Sequence, residues 1–144
     1  FTFPPSIGIL IENPSFVAEY TGLKNLEMLA CIKNKIEIED IRHAMEQVGL
    51  DPDDKRTYKK YSLGMKQKLG IAAAFMEKPD IIILDEPINA LDEVGAKQVH
   101  KILEEQKKRG ALIIIACHDK EELEMLSDEI IEIYEGRIVA GEKE

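Results

Sequence analysis

Apolar residues recur along this chain with two different spacings. Short continuous runs predict strands, whereas stripes at helical spacing predict helices. The predicted strands are Ile7 to Ile11, residues 81–84, Leu112 to Cys117, and a hairpin of residues 129–134 and 137–141 that turns at Glu135-Gly136. The predicted helices cover residues 22–33, 38–48, a stretch that Ser62 opens and Lys78-Pro79-Asp80 ends, about 93–109 and about 119–126. This order of strands and helices predicts an α/β fold.

Two of the predicted strands end at residues that can do chemistry. The runs 81–84 and 112–117 are continuously apolar, which is typical of strands buried on both faces of a parallel sheet. Asp85 and Glu86 follow the first run directly, and His118 follows the second. Open α/β sheets bind ligands at the carboxyl ends of their strands. A carboxylate there can hold Mg²⁺, and its neighbour can orient or deprotonate a water. An isolated Asp-Glu is more often a simple strand-end turn, but the extended pattern in residues 84–92 is far more specific.

Each of the other candidate residues has a functional and a structural interpretation. Ser62 and the Gly64 backbone, at a helix start, suit an anion, although an ordinary serine N-cap is the better explanation when these residues are taken in isolation. His118 can polarise a phosphate oxygen or serve as a structural hydrogen-bonding group. Glu12, after the first strand, can contact Mg²⁺ or a water, or face solvent. Asp92 is expected to cap the following helix whatever else it does.

Composition narrows the class of protein. The 144 residues fit one domain, and 44% hydrophobic residues are enough for a core. No apolar run reaches the roughly 20 residues that span a bilayer. A net charge of −9 argues against a broad nucleic-acid surface, and the two cysteines predict reduced thiols in a cytosolic protein. The sequence lacks an initiator Met, a signal peptide and any Gly-x-x-x-x-Gly-Lys-Ser/Thr, so we expect it to begin inside a longer protein or at a processed end.

In their order and spacing these residues resemble the ATP-binding subunit of an ABC transporter. Tyr61 to Lys68 resembles the signature motif, and Ile81 to Glu86 resembles the Walker B strand with its catalytic glutamate. Ala90-Leu91-Asp92 resembles the D-loop and His118 the switch histidine, while Glu12 falls where the family has the Q-loop glutamine.

Several positions depart from the family pattern. The departures are Glu12 for glutamine, Leu63 for a glycine, Met65 for glutamine, Ile88 for threonine and Ala90 for a glycine. The sequence of residues 61–72, together with Ile-Glu-Asn-Pro-Ser-Phe upstream, is similar to that of the bacitracin- and lantibiotic-export branch of the family. We therefore interpret these substitutions as variation specific to a subfamily rather than as degeneration of the motifs.

The resemblance implies a fold and a division of the chain. It implies a partial parallel sheet of the P-loop NTPase type with flanking helices and a C-terminal β-hairpin. Residues 21–79 would form an inserted helical signature subdomain, and residues 1–20 and 80–144 would belong to the α/β ATPase core. Since family members place the phosphate-binding loop before the Q-loop, the chain resembles the C-terminal portion of a nucleotide-binding domain that lacks Walker A.

The resemblance also implies a mechanism in which two domains sandwich two ATP molecules. Asp85 would then hold Mg²⁺ through water, Glu86 would act on the attacking water, and His118 would contact the γ-phosphate. Ser62 and Gly64 would contact the γ-phosphate held by the partner domain. Glu12 would relay to the membrane subunit, and Asp92 would link the two sites. The implied cofactors are ATP and Mg²⁺. The implied partners are a second nucleotide-binding domain and an integral-membrane permease, with no nucleic acid. The protein would lie in the cytoplasm, peripheral at the inner face of the membrane, and this piece alone would be inactive.

Two other functions stay open at this point. One is a non-transport ABC ATPase of DNA repair or translation. Only 50 positions separate Glu12 from Ser62, without sustained heptads, and zinc cysteines are absent, which disfavours the repair types but not the ribosomal ones. The other is an interaction module that never binds nucleotide.

Overall fold

The structure, a computed structural model, describes residues 6–143, with side chains up to residue 139. The strands are β1 (Ile7–Leu10), β2 (Ile81–Asp85), β3 (Leu112–Ala116), β4 (Glu129–Tyr134) and β5 (Arg137–Lys143). The helices are α1 (Gly22–Lys33), α2 (Ile38–Gln47), α3 (Leu63–Phe75), α4 (Glu93–Lys108) and α5 (Lys120–Leu126). A 3₁₀ turn at Tyr58–Lys60, which the sequence did not predict, precedes α3.

The first three strands form one parallel sheet. Their order is β1-β2-β3, so the strand that leads into Asp85 is central. Leu10 pairs with Leu84, and Asp85 pairs with Ala116, which brings the three carboxyl ends to one edge. Strands β4 and β5 form a separate antiparallel hairpin. The predicted α/β fold with a parallel sheet and a C-terminal hairpin is confirmed.

Helix α3 lies directly on the sheet. A Cβ atom added to Gly8 of β1 would lie 1.7 Å from the carbonyl oxygen of Ala74, so only glycine permits this approach. The hydrophobic core contains fully buried side chains from the helices and from the sheet, among them Leu26, Met45, Leu69, Ile82 and Val99. Burying such a side chain contributes about 1.5–3 kcal/mol each. The same packing fixes the start of α3 relative to the end of β2.

Helices α1 and α2 have local capping residues. Thr21 accepts the Lys24 N–H at 3.2 Å at the start of α1. Gly49, with φ of +75°, closes α2, and its N–H donates to the Glu46 carbonyl at 2.9 Å. Glycine is favoured in this left-handed conformation because it has no Cβ atom.

The predicted burial of β3 is wrong. Leu112 and Ile114 are 56% and 49% exposed, while Ile113 and Ile115 pack against the core. The physical reason is that no element within residues 6–143 covers the second face of β3. On the central strand β2, Ile82 and Leu84 are buried and the alternate residues are half-buried.

Three helices, α1 to α3, separate β1 from β2 in the chain. Helix α3 packs on β1 as well as on α2. The division at residues 21–79 into a helical subdomain stays a prediction. None of the helices in the described part of the chain is long and apolar enough to cross a membrane.

Candidate functional site

Glu86 and His118 are in direct contact beyond the ends of β2 and β3. The Glu86 backbone N–H donates to the Ala116 carbonyl at 2.8 Å, which continues the sheet by one residue. Its Oε1 accepts the His118 backbone N–H at 3.1 Å and also contacts the His118 ring at Nδ1. The structure therefore brings these two predicted residues together.

The backbone of Glu86 is strained. Its φ is +47°, in the left-handed region that side chains rarely adopt. Such a conformation costs on the order of 1–3 kcal/mol and persists only where surrounding contacts hold it. The Glu86 carbonyl accepts the Asn89 N–H at 3.2 Å and a side-chain amide from Gln67 at 3.1 Å.

Gln67 is a residue whose role the sequence analysis missed. It lies on α3, is 9% exposed, and its Nε2 donates to the carbonyls of Glu86 and Pro87, both at 3.1 Å. The signal in the sequence was a neutral amide on the helix just before the apolar run Leu69 to Phe75. An amide that is buried must find hydrogen-bond partners.

Asp85 and Glu12 lie at the same edge as Glu86. Asp85 is the last residue of β2 and is half-buried. Glu12 is exposed, with φ of +56°, and comes two residues after β1 ends at Leu10. Within residues 6–143 no three His, Cys, Asp or Glu side chains cluster as a metal-binding group. The structure thus does not gather Glu12 with Asp85 and Glu86 into one cage of ligands.

Ser62 caps α3, as its structural interpretation predicted. Its Oγ accepts the Met65 N–H at 3.2 Å, and the side chain is exposed. The N–H groups of Leu63 and Gly64 in the same first turn have no hydrogen-bond acceptor among the described residues. An exposed helix start with open N–H groups attracts anions.

The loop after β2 packs against the start of α3. A Cβ on Gly64 would lie 2.9 Å from the Ala90 carbonyl oxygen, so the helix and the loop approach closely. Asp92 caps α4, where its Oδ1 accepts the Gly95 N–H at 2.8 Å. A Cβ on Gly95 would lie 3.2 Å from the Lys68 side chain. Ser62, Gly64 and Asp92 therefore belong to one neighbourhood, at the starts of two adjacent helices.

An open cavity of about 400 Å³ lies between the loop after Glu12 and the start of α3. Tyr58 forms part of its wall, donates its hydroxyl to the Pro14 carbonyl at 2.7 Å, and carries Lys66 5.1 Å from its ring centre. Burial raises the pKa of Tyr58 above its usual range. Next to His118, burial also raises the pKa of the Cys117 thiol, and the charge of Glu86 adds to the effect.

A family model described as "ABC transporter" matches residues 2–89 of this chain. The chain belongs to the ABC transporter family. The matched residues include those that resemble the signature motif, Tyr61 to Lys68, and the Walker B strand, Ile81 to Glu86.

Curated relatives extend the likeness over nearly the whole chain. An uncharacterized ABC transporter ATP-binding protein of Bacillus subtilis, YybJ, is 46% identical over 99% of this chain and 65% of its own length. The bacitracin transport ATP-binding protein BcrA of Enterococcus faecalis is 39% identical over 96% of this chain and 45% of its own. The lantibiotic transport ATP-binding protein SrtF of Streptococcus pyogenes is 40% identical over 92% of this chain and 58% of its own. The chain thus spans less than two thirds of the length of these relatives.

Solved structures support the same fold. The structure of an ATP-binding subunit of an ABC transporter superposes with a TM-score of 0.86 at 27% identity, covering 94% of this chain and 58% of the other. The dimeric structure of MJ0796, a bacterial ABC transporter cassette, has a TM-score of 0.86 at 20% identity, covering 96% and 62%, and shows the fold alone. The predicted resemblance, including the bacitracin and lantibiotic branch, is confirmed. The roles of individual site residues stay predictions.

Proposed function

We propose that this chain carries the hydrolytic part of the ATPase subunit of an ABC exporter. The observation that carries the proposal is the contact between Glu86 and His118 at the carboxyl edge of the sheet. A carboxylate beside an imidazole at this edge can orient a water against a phosphate. Because the chain belongs to the ABC transporter family, we infer that the phosphate belongs to ATP.

In this proposal Glu86 positions the attacking water and accepts its proton, while the water oxygen bonds to the γ-phosphorus. The bond from that phosphorus to the bridging oxygen of ADP breaks, and His118 donates a hydrogen bond to the γ-phosphate. Phosphoryl transfer depends mainly on such positioning and on charge neutralisation.

The donor set at this edge fits Mg²⁺. The ion keeps several waters and takes one or two carboxylates beside the phosphates, so a cage of three protein ligands is not required. Asp85 would hold it, and when bound it would neutralise charge on the phosphates of ATP.

The second group of residues serves a different ATP molecule. Ser62 and the open Gly64 N–H, at the start of a helix whose dipole favours anions, would bind the γ-phosphate of an ATP held by a second nucleotide-binding domain. Asp92 would link the two sites, because its helix starts beside the same end of α3. Glu12, exposed at the sheet edge, would relay the state of the site to a membrane permease.

The relatives support a proposal for the transported substrate and the location. BcrA and SrtF are named for bacitracin and lantibiotic transport. We therefore propose that the substrate is an antimicrobial peptide or drug, and that the subunit is cytoplasmic and peripheral at the inner membrane face.

The 144 residues alone are proposed to be inactive, because no phosphate-binding loop occurs among them. Calorimetry with MgATP should show no saturable binding at submillimolar concentration. A tight one-to-one site would refute this part of the proposal. Activity requires the parent protein, by which we mean a chain that contains these residues together with a phosphate-binding loop.

The test of the catalytic assignment is Glu86→Gln in the parent protein. The amide keeps the shape of the side chain but cannot accept the proton, so ATP binding should persist while turnover stops. Glu104→Gln, an exposed position on α4, is the matched control and should turn over normally. Near-normal hydrolysis by Glu86→Gln would refute the assigned role.

A further inference from the structure

We propose that Gln67 is a positioning residue that holds the backbone of Glu86 in its reactive conformation. The inference rests on the proposed function, since it assumes that Glu86 acts on the water. Gln67 lies on α3 within the signature region, and its amide reaches the carbonyls of Glu86 and Pro87. It therefore connects the helix that would face one ATP with the carboxylate that would hydrolyse the other.

The chemistry of this contact requires an amide donor. Both partners are carbonyl oxygens, each 3.1 Å away, and neither can donate a hydrogen bond. The NH₂ end of Gln67 must therefore face them, because the carbonyl end would be repelled. The contact is largely buried, as Gln67 is 9% exposed and Pro87 is fully buried. Removing the amide would therefore leave two carbonyl oxygens in a largely buried position without this donor.

The Glu86 backbone depends on few other contacts. It adopts the left-handed conformation, and the following Pro87 has no N–H to donate. Besides Gln67, it is held by the Ala116 carbonyl and the Asn89 N–H. A small rotation at Glu86 would move the carboxylate away from His118, because the side chain extends directly from this strained residue.

Helix α3 contacts the loop after β2 at a second point. Gly64 and Gln67 are three residues apart and so lie on the same face of the helix. Gly64 packs against the Ala90 carbonyl, and Gln67 binds the carbonyls of residues 86 and 87. The start of the signature helix is thereby fixed to both ends of the segment 86–90. Of Gly64 and Gln67, only Gln67 donates a hydrogen bond to Glu86 itself.

The experiment compares steady-state ATP hydrolysis by the parent protein and its Gln67→Met variant. Methionine keeps the length of the side chain and removes the donor. Displacing a catalytic group by about 1 Å can cost on the order of 100-fold in rate, so we expect kcat to fall roughly 10- to 100-fold. The KM for ATP should change by less than about threefold, since ground-state binding is not affected.

Gln106→Met is the matched control. Gln106 is equally buried, at 8% exposed, but lies on the last turn of α4 and binds Arg109, near the amino ends of β2 and β3. The Gln106→Met variant should lose a thermal stability comparable to that lost by Gln67→Met, and it should keep the kcat of the parent protein. The inference would be overturned if kcat falls no more in Gln67→Met than in Gln106→Met. It would also be overturned if the KM of Gln67→Met rises by the same factor as its kcat falls. If Gln67→Met does not fold, Gln67→Asn, one methylene too short to reach, is judged by the same criteria.

The outcome for Glu86→Gln separates the two proposals. If Glu86→Gln hydrolyses ATP normally, the proposed function fails whatever Gln67→Met does. If Glu86→Gln is inactive and Gln67→Met has a normal kcat, the proposed function stands and the role of Gln67 is refuted.

Discussion

The carboxylate of Glu86 accepts the backbone N–H of His118 and contacts its imidazole ring, across the ends of two neighbouring parallel strands. The two side chains differ in exposure: that of His118 is 96% exposed and that of Glu86 is 32% exposed. The imidazole is thus fixed at one atom and open to solvent elsewhere, which leaves room for a phosphate beside it.

Replacing His118 should separate activity from stability. His118→Ala in the parent protein is expected to lower the rate of ATP hydrolysis about 100-fold or more, because a positioned hydrogen-bond donor is lost. The free energy of unfolding should change by less than about 0.5 kcal/mol, since the ring is exposed. Turnover assays and urea unfolding measure the two quantities. His43→Ala, also at an exposed position, should change neither. Unchanged turnover in His118→Ala would show that the contact with Glu86 has no catalytic part.

The hydroxyl of Tyr58 should stabilise the loop beyond Glu12. Tyr58→Phe removes the 2.7 Å hydrogen bond to the Pro14 carbonyl in a buried position. We expect the free energy of unfolding of the 144-residue chain to fall by about 1 kcal/mol in a urea titration. Tyr134→Phe is the control, because Tyr134 is 64% exposed. Equal effects of the two substitutions would mean that the Tyr58 bond contributes nothing.

The ion pair between Arg42 and Asp53 should make stability depend on pH. Arg42 donates two hydrogen bonds to Asp53, at 2.8 and 3.1 Å, and this lowers the pKa of that carboxyl. A carboxyl whose pKa is lower in the folded state stabilises the protein above its unfolded pKa of about 4 and loses that effect as pH falls through the folded pKa. Asp53→Asn should therefore lower the urea midpoint at pH 7 and leave it unchanged in strong acid. A difference between Asp53→Asn and the original chain that persists in strong acid would contradict the linkage.

The sequence predicted most elements because local signals agreed with the final packing. The stretch from Glu93 to Lys108 combines an N-capping Asp92 with an apolar stripe, and the helix forms there as expected. The run from Leu112 to Ala116 was correctly predicted as a strand, but its burial was not. Burial on both faces depends on which elements cover the sheet, and a continuous apolar run does not identify those elements.

The candidate site was predictable as a set of positions but not as a set of contacts. Asp85, Glu86 and His118 follow from strands that end at a common edge. The link from Gln67 to Glu86 does not, because it joins residues 19 positions apart through the packing of α3 against the sheet. The left-handed conformation of Glu86 is likewise imposed by tertiary contacts, since a glutamate before proline has no intrinsic preference for it.

Ser62 and Glu86 are proposed to belong to composite sites that a second domain completes. The most direct test is sedimentation of the parent protein's Glu86→Gln variant with and without MgATP, combined with counting of bound nucleotide. We predict a dimer with one ATP per chain only when ATP is present, and a monomer when Ser62→Arg is added, because the larger cation displaces the hydroxyl and blocks the helix start. A Glu86→Gln protein that binds ATP yet stays monomeric, or a dimer that Ser62→Arg leaves intact, would contradict the claim.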